Sequence, residues 1–474
     1  MRNRYSIAVG GVLAASLALT ACGGGGTGAA NNAAPDTKRN ADAKQVTLTI
    51  TSNAITGGKN KVEAAWITDY VIPKFQEEQK KKGVDAKVTY QPNGVDDSEY
   101  KTKISLDLST GGGADIVSLD GIWFGEFAEA GYIAPLEDTV GKESVEGWSG
   151  WKQIKPAVQQ LTSYKDKRYG IPDGTDGRII YYNKSLFKQA GLPTEWQPKS
   201  WEEILSAAEK LKSVSGVTPL QLNAGTAMGE ATSMQGVLPL LAGTGDPVWK
   251  EDKWQGNSEG VRDVLGLYSK VYGSSGLGSP LLQQEAKGRD KSFEMFAGNK
   301  LGIMIEGDYL WRSVINPKTG TAPMANRDEV VGWAKIPAQA PGKGIDGRDF
   351  VSMSGGSGRV INPKTQYPQQ AFELLTFMAS AEALKAKLGT TPSISARDDV
   401  NAELLAKDPL LSFVAKEVLP VTQYRPSLPA YTEVSSALQE ATASVVSGKS
   451  ADEAAKTYEE TLKGIVGGSE HLFN

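Results

Sequence analysis

The stretch Ala114-Asp115-Ile116-Val117-Ser118-Leu119-Asp120 decides the fold. Its short apolar run, ending on a carboxylate and followed by Gly121, reads as a buried strand whose C-terminal end carries a polar group. Working outward, Val46, Leu48 and Ile50 alternate as a first strand, and residues 61–82 read as a helix. A second strand near 86–91 and a helix over 98–109 then lead into the quoted run. This βαβαβ opening predicts an α/β architecture with largely parallel sheets. Further along, 178–183, 302–306 and 330–336 read as strands. Ser200 with Glu203, and Ser450 with Glu453, form capping-box patterns that open helices. A helix is expected over 435–446, and Gly191, Gly216 and Gly448 stand where helices should stop.

The chain has 474 residues, 51 basic and 55 acidic, for a net charge of −4, with 40% apolar residues, one Cys and one His. That length allows two or three domains of roughly 100–200 residues each. Net acidity without a basic block argues against a nucleic-acid partner, which requires clustered Lys and Arg to neutralise phosphates. His471 lies beside the C-terminus, a poor foundation for a Ser-His-Asp triad, a Cys-His pair or a zinc site. A single Cys22 rules out a disulfide within the chain.

Arg2 and Arg4 precede an apolar run over 7–19, too short to span a bilayer and suited to a signal peptide over 1–21. Leu19-Thr20-Ala21-Cys22, followed by glycines, looks like a bacterial lipoprotein processing site that leaves lipid on Cys22. Loss of the signal removes two arginines, making the mature balance −6. Residues 22–44, rich in Gly, Ala and Asn, read as a flexible tether.

Three partial motifs fail on context. Gly448-Lys449-Ser450 mimics the end of a phosphate-binding loop, but Ala443 occupies the place of the required first glycine. Gly342, Gly344 and Gly347 have dinucleotide-loop spacing, yet no capped helix follows to receive a pyrophosphate. The run from Asp173 to Gly177 lacks the distal Glu of a calcium loop, since Lys184 stands at its twelfth position, and turn chemistry accounts for it. No cofactor is expected.

An ordered set of stations carries a resemblance. Residues 114–120 precede Trp123, Phe127-Ala128-Glu129-Ala130-Gly131-Tyr132-Ile133 and Pro135-Leu136. Tyr169-Gly170-Ile171-Pro172 leads to Ile180-Tyr181-Tyr182-Asn183-Lys184, and Phe293 to Gly298 leads to Gly302-Ile303-Met304-Ile305-Glu306-Gly307-Asp308-Tyr309-Leu310-Trp311. Ser354-Gly355-Gly356 then precedes Val360-Ile361. Over 45–465 the chain resembles the extracytoplasmic carbohydrate-binding proteins of ATP-binding-cassette importers, the maltose-binding-protein-like group. The resemblance implies a two-lobed, periplasmic-binding-protein-like type II fold with three interlobe crossings, near 170–178, 350–358 and 412–425. It places 45–172 with 355–415 in a first lobe and 173–354 with 416–474 in a second. It implies a non-enzymatic, monomeric receptor on the outer face of the cell membrane that passes an oligosaccharide to permease subunits. Hinge closure then follows from tighter ligand binding to the closed form.

A pyranose presents an apolar face and a rim of hydroxyls, so its site needs flat aromatics and planar hydrogen-bonding groups. Trp123, Tyr309, Trp311 and Tyr431 are the stacking candidates, with Tyr309 preferred over Trp311; Asp308-Tyr309 stands where the family often carries Trp. Asp120 follows a strand end, where open α/β sheets place ligands, and it could instead cap the next helix. Asn53, Asp97, Asp173 and Asp176 are polar candidates with turn-forming alternatives. Gly355 and Gly356 could let backbone approach ligand or serve as hinge turns, and Arg397 and Arg425 could bind hydroxyls or form ion pairs. Trp66, Trp148, Trp151 and Trp333 are assigned to packing. Two other classes compete: a binder of a glycerophosphodiester or peptide, and an extracellular glycoside hydrolase acting through two carboxylates.

Overall fold

The computed structural model describes residues 36–58, 60–95, 97–389 and 391–474; the expected signal peptide and Cys22 lie outside them. From the N-terminus run β1 (Gln45–Ser52), α1 (Lys61–Trp66), a π turn, α2 (Ile72–Lys81), β2 (Asp85–Pro92), α3 (Asp97–Ser109) and β3 (Ile116–Asp120). Next come β4 (Gly170–Thr175), β5 (Arg178–Asn183), α4 (Trp201–Leu211), β6 (Thr218–Gln221) and α5 (Glu259–Tyr272). The third quarter supplies β7 (Leu301–Gly307), β8 (Val331–Ala334), β9 (Ile336–Pro337), β10 (Phe350–Ser354) and β11 (Gly356–Ile361). The chain ends with α6 (Pro368–Met378), β12 (Thr422–Tyr424), α7 (Tyr431–Val446) and α8 (Ala451–Val466) among its remaining elements. Among the described residues, no helix is long and apolar enough to cross a membrane.

Two sheets define two lobes. The first has the order β2-β1-β3-β11-β4, the second β8-β5-β7-β6, and a small sheet β9-β10-β12 joins them. The parallel expectation holds for β1 with β2 and β3, where Leu48 faces Val88 and Ile50 faces Ile116. It fails for β11 and β4, which are antiparallel to their neighbours, and for β5, antiparallel to both β7 and β8. These strands enter their sheets through short links from another sheet, so no helical crossover sets their direction. In the first lobe, Leu48, Ile50 and Ile116 pack with Trp66 and Phe75 of the long helix and Phe372 and Leu375 of α6. In the second, Ile180, Ile303 and Ile305 pack under α4, α5 and α7.

The first passage between lobes is Asp176–Gly177, linking β4 to β5, and the second is Gly355, linking β10 to β11. The third is more diffuse. Ala396 packs in the first lobe, whereas Leu405, Leu410, Leu411, Val414 and Leu419 pack against Ile179, Tyr181 and Trp311 of the second. Residues 405–415 therefore belong with the second lobe, not the first as expected, because their apolar faces find β5 and β7.

Other departures are local. The expected strand 330–336 is broken at Lys335, whose amide donates to the Gln197 side chain at 2.9 Å. The 435–446 helix starts earlier, at Tyr431. Ser450 and Glu453 make a complete capping box; at Ser200 the hydroxyl accepts from Glu203 N, but the Glu203 carboxylate takes the Lys199 amide. Residues 36–44 are not a loose tether end: the Gln370 side chain donates to the carbonyls of Asn40 and Ala41 at 3.0 and 2.9 Å, and Gln369 to that of Thr37 at 2.7 Å.

Candidate functional site

The C-terminal ends of β1 and β3 open onto a cavity of about 160 Å³ lined by Asn53, Asp97, Tyr100, Asp120, Trp123 and Ser357, among others. Asn53 is set by the end of β1: its amide donates to Val95 O and Asp97 Oδ1, both at 3.1 Å, and its Oδ1 accepts from Val95 N. Asp120 ends β3 opposite Ser357 and does two things at once. Its Oδ1 caps the next turn by accepting from Ile122 N at 3.1 Å, and its side chain stays 41% exposed. Desolvation raises the Asp120 carboxyl above its ordinary range, opposed by the Arg425 guanidinium. Trp123 is only 9% exposed and packs beside Tyr100 at 6.3 Å, with a rim in the cavity.

Beyond Asp120 lies an ionic array that spans the lobes. Arg425, just past β12, donates to Asp120 Oδ1 at 3.3 Å and to Glu230 Oε1 at 3.1 Å. Glu230 opens a short helix of the second lobe and also accepts from Tyr431 Oη at 2.5 Å and Ser435 Oγ at 2.6 Å. The early start of α7 makes this possible, because residues four apart share a helix face. At the first passage, Asp176 accepts from Arg178 and from the Gly355 amide at 2.6 Å, while Arg178 Nε donates to Gln235 at 3.0 Å. Burial works to raise the Asp176 carboxyl, and Arg178, the Gly355 amide and Arg425 together more than offset it, leaving it below its ordinary value.

The ends of β6 and β7 carry a second buried carboxylate. Glu306 takes a bidentate bond from Arg289 at 3.0 and 2.9 Å, and further bonds from Asn223 at 2.9 Å and Tyr309 Oη at 2.7 Å. Arg289 lies over the Tyr309 and Phe293 rings. Tyr309 is thus held by its hydroxyl and by a cation over its ring.

Of the sequence candidates, Asn53, Asp97, Asp120 and Trp123 gather around one cavity, and Arg425, Tyr431, Asp176 and Gly355 join the interlobe array. Gly356 begins β11 opposite Thr175 with a φ of 156° that side-chain-bearing residues rarely adopt, and a Cβ there would lie 2.3 Å from Gly174 O, so it serves strand pairing. Three candidates lie elsewhere. Trp311 is 3% exposed; its indole donates to Asp408, Arg327 covers its face at 3.5 Å and Trp333 meets its edge, so no ring face remains for stacking. Asp173 is engaged by Arg359 and Lys387 in a buried quartet with Glu63, whose cations hold its carboxyl well below the usual range against the cost of burial. Arg397 pairs with Asp399 two residues away, the plain ion-pair alternative. Sequence reasoning missed Glu230, Arg178, Glu306 and Arg289; Glu230 meets Arg425 across 195 residues, whereas Arg178 pairs with Asp176 only two residues away. Among the described residues no cluster is arranged to hold a metal ion.

Comparison with known proteins fits this geometry. The profile for bacterial extracellular solute-binding proteins matches residues 58–385. A binding protein of Brucella abortus is 25% identical over 355 residues, covering 73% of this chain and 78% of the relative. Two solved structures share the fold. One is an ABC transporter solute-binding protein of Thermotoga lettingae bound to α-D-tagatose, with TM-score 0.67 and 24% identity over 89% of this chain and 99% of that one. The other is the sugar-binding protein MalE of Xanthomonas citri, with TM-score 0.71 and 16% identity over 89% and 97%. The two lobes, their three connections and the matched profile together place this chain in the family of bacterial extracellular solute-binding proteins.

Proposed function

We propose that this protein is the receptor of an ATP-binding-cassette importer, anchored by lipid on Cys22 at the outer face of the cell membrane, and that it captures an oligosaccharide between its lobes and passes it to permease subunits. The observation that carries this reading is the cavity wall at the ends of β1 and β3, which sets Asn53, Asp97 and Asp120 beside the Trp123 indole. Planar hydrogen-bonding groups next to an aromatic edge suit a hydroxyl-rich ring. The sugars bound by structural relatives agree with it. An anionic solute suits the site less. Arg178, Arg289 and Arg425 are each already held by a carboxylate. We propose Asn53, Asp97, Asp120, Trp123, Tyr309, Asp176, Gly355 and Arg425 as the ligand-facing set, with the buried Tyr431 holding Glu230 behind it.

Calorimetric titration of residues 36–474 with mono-, di- and longer α- and β-linked saccharides and with glycerophosphodiesters tests the reading, with chromatography of the recovered ligand. Saturable binding of one sugar class, returned intact, is the expected result. Hydrolysed ligand would make the protein a glycosidase, and binding of the diesters alone would replace the sugar. Metabolic labelling with an alkyne fatty acid should mark the wild type and not Cys22→Ser.

A further inference from the structure

The array around Arg425 belongs to neither lobe alone. Its guanidinium is 10% exposed, with Nη2 on the first lobe's Asp120 and Nη1 on the second lobe's Glu230. The residues that follow reinforce the bridge. The Ser427 hydroxyl accepts from Gly125 N at 2.7 Å and donates to Gly121 O at 3.1 Å, whereas Leu428 and Ala430 pack into the second lobe's core. One cation therefore sits between two carboxylates that approach only when the lobes do. Without it, closing the lobes would bring two like charges together in a poorly solvated space.

We propose that Arg425 is a latch that draws the lobes together in the absence of ligand. The latch does not consume the ligand wall. Asp120 Oδ1 takes both the Ile122 amide and Arg425, and the side chain remains open to the cavity. Both Glu230 oxygens are occupied, by Arg425 and Tyr431 on one and Ser435 on the other. A solute then meets a cleft already biased toward closure, and less of its affinity goes into moving the lobes. The inference rests on the two-lobed binding-protein reading and is independent of which sugar is bound.

The test needs no ligand. Full-length protein carrying Cys22→Ser receives spin labels at Leu106→Cys and Leu281→Cys, exposed residues in the first and second lobes, 63% and 71% exposed. Electron-electron dipolar spectroscopy then reads the interlobe distance. Wild-type Arg425 should give a short-distance population that falls about tenfold or more in Arg425→Gln. Arg425→Lys should restore part of it, since an ammonium still attracts both carboxylates. The double variant Asp120→Asn, Glu230→Gln should lose it as Arg425→Gln does, and it carries the test should Arg425→Gln not fold. Arg397→Gln, which breaks a pair between two residues at the start of one helix, should leave the distances unchanged. Distances in Arg425→Gln or in the double variant equal to wild type overturn the latch, leaving the calorimetric test of sugar binding untouched.

Discussion

Asp308 offers the sharpest prediction. It is fully buried one residue beyond β7, and neither carboxyl oxygen has a hydrogen-bond donor among the described residues; the nearest cation, Arg312 Nε, is 3.8 Å away. Asp176 and Arg178 face it from the first passage, whose Gly177 carbonyl accepts the Asp308 amide at 3.1 Å, and Asp408 faces it from the neighbouring segment. Burial is the main cause that pushes the carboxyl from an ordinary 3.8 up to about 7, with Arg312 pulling the other way. At about 1.4 kcal/mol per pH unit, the gap is worth about 4 kcal/mol. The sign follows from the raised value. Below about pH 4 both folded and unfolded chains hold the proton and the favourable contribution is full; it is lost as pH rises through 7, because the unfolded chain releases the proton first. Between pH 5 and pH 8 the loss should be about 2 to 3 kcal/mol. Urea titrations at 25 °C at several pH values, for wild type and Asp308→Asn, isolate this group together with its coupling to Asp176. The difference between the two proteins should change by that amount across the window. Parallel pH curves would refute the reasoning.

Five further outcomes are expected. Arg359→Ala leaves Asp173 and Glu63 with Lys387 alone and should cost about 3 to 5 kcal/mol in urea denaturation. The Asp173 and Glu63 carboxyls are held low in the folded protein, so the quartet's contribution is present above about pH 4 and should disappear on acidification below it. Asp120→Asn should weaken sugar binding about tenfold by calorimetry with a nearly unchanged urea midpoint, whereas Trp311→Ala should lower stability by about 3 to 5 kcal/mol while the folded fraction binds as wild type. In Gly125→Ala the new methyl would lie 1.5 Å from the Ser427 carbonyl oxygen, so amide exchange over 425–430 should accelerate.

The sequence made the strands legible where burial leaves a plain imprint: β5 and β7 are buried at every position and carry the apolar runs 179–182 and 301–305, and β3 is buried except at Ser118 and Asp120. Two helix stops were legible for a backbone reason, since Gly191 and Gly448 adopt φ of 68° and 100° just past their helices, which disfavours other residues; the helix over 201–211 instead ends at Lys212, and Gly216, with φ of 75°, turns the chain four residues later. The cavity wall was legible in part, because Asn53 and Asp120 end strands that alternation could locate. Trp311 was misread for want of orientation. Tyr309 to Trp311 enters a π turn instead of extending β7, and that turn drives the indole into the core. The ionic array was hidden by distance along the chain: Arg425 meets Glu230 and Asp120 across 195 and 305 residues, and no local pattern announces such a pair.

The shortness of the first two passages has an energetic consequence. Asp176–Gly177 and Gly355 amount to three residues, and the Asp176 carboxylate clasps the Gly355 amide, so the two links are tied side by side. Ordering a free residue costs about 1 to 2 kcal/mol. Links this short and already bonded have little disorder left to surrender when the lobes swing. Two links so pinned would act as an axle and would take little of the free energy of solute contact for their own ordering.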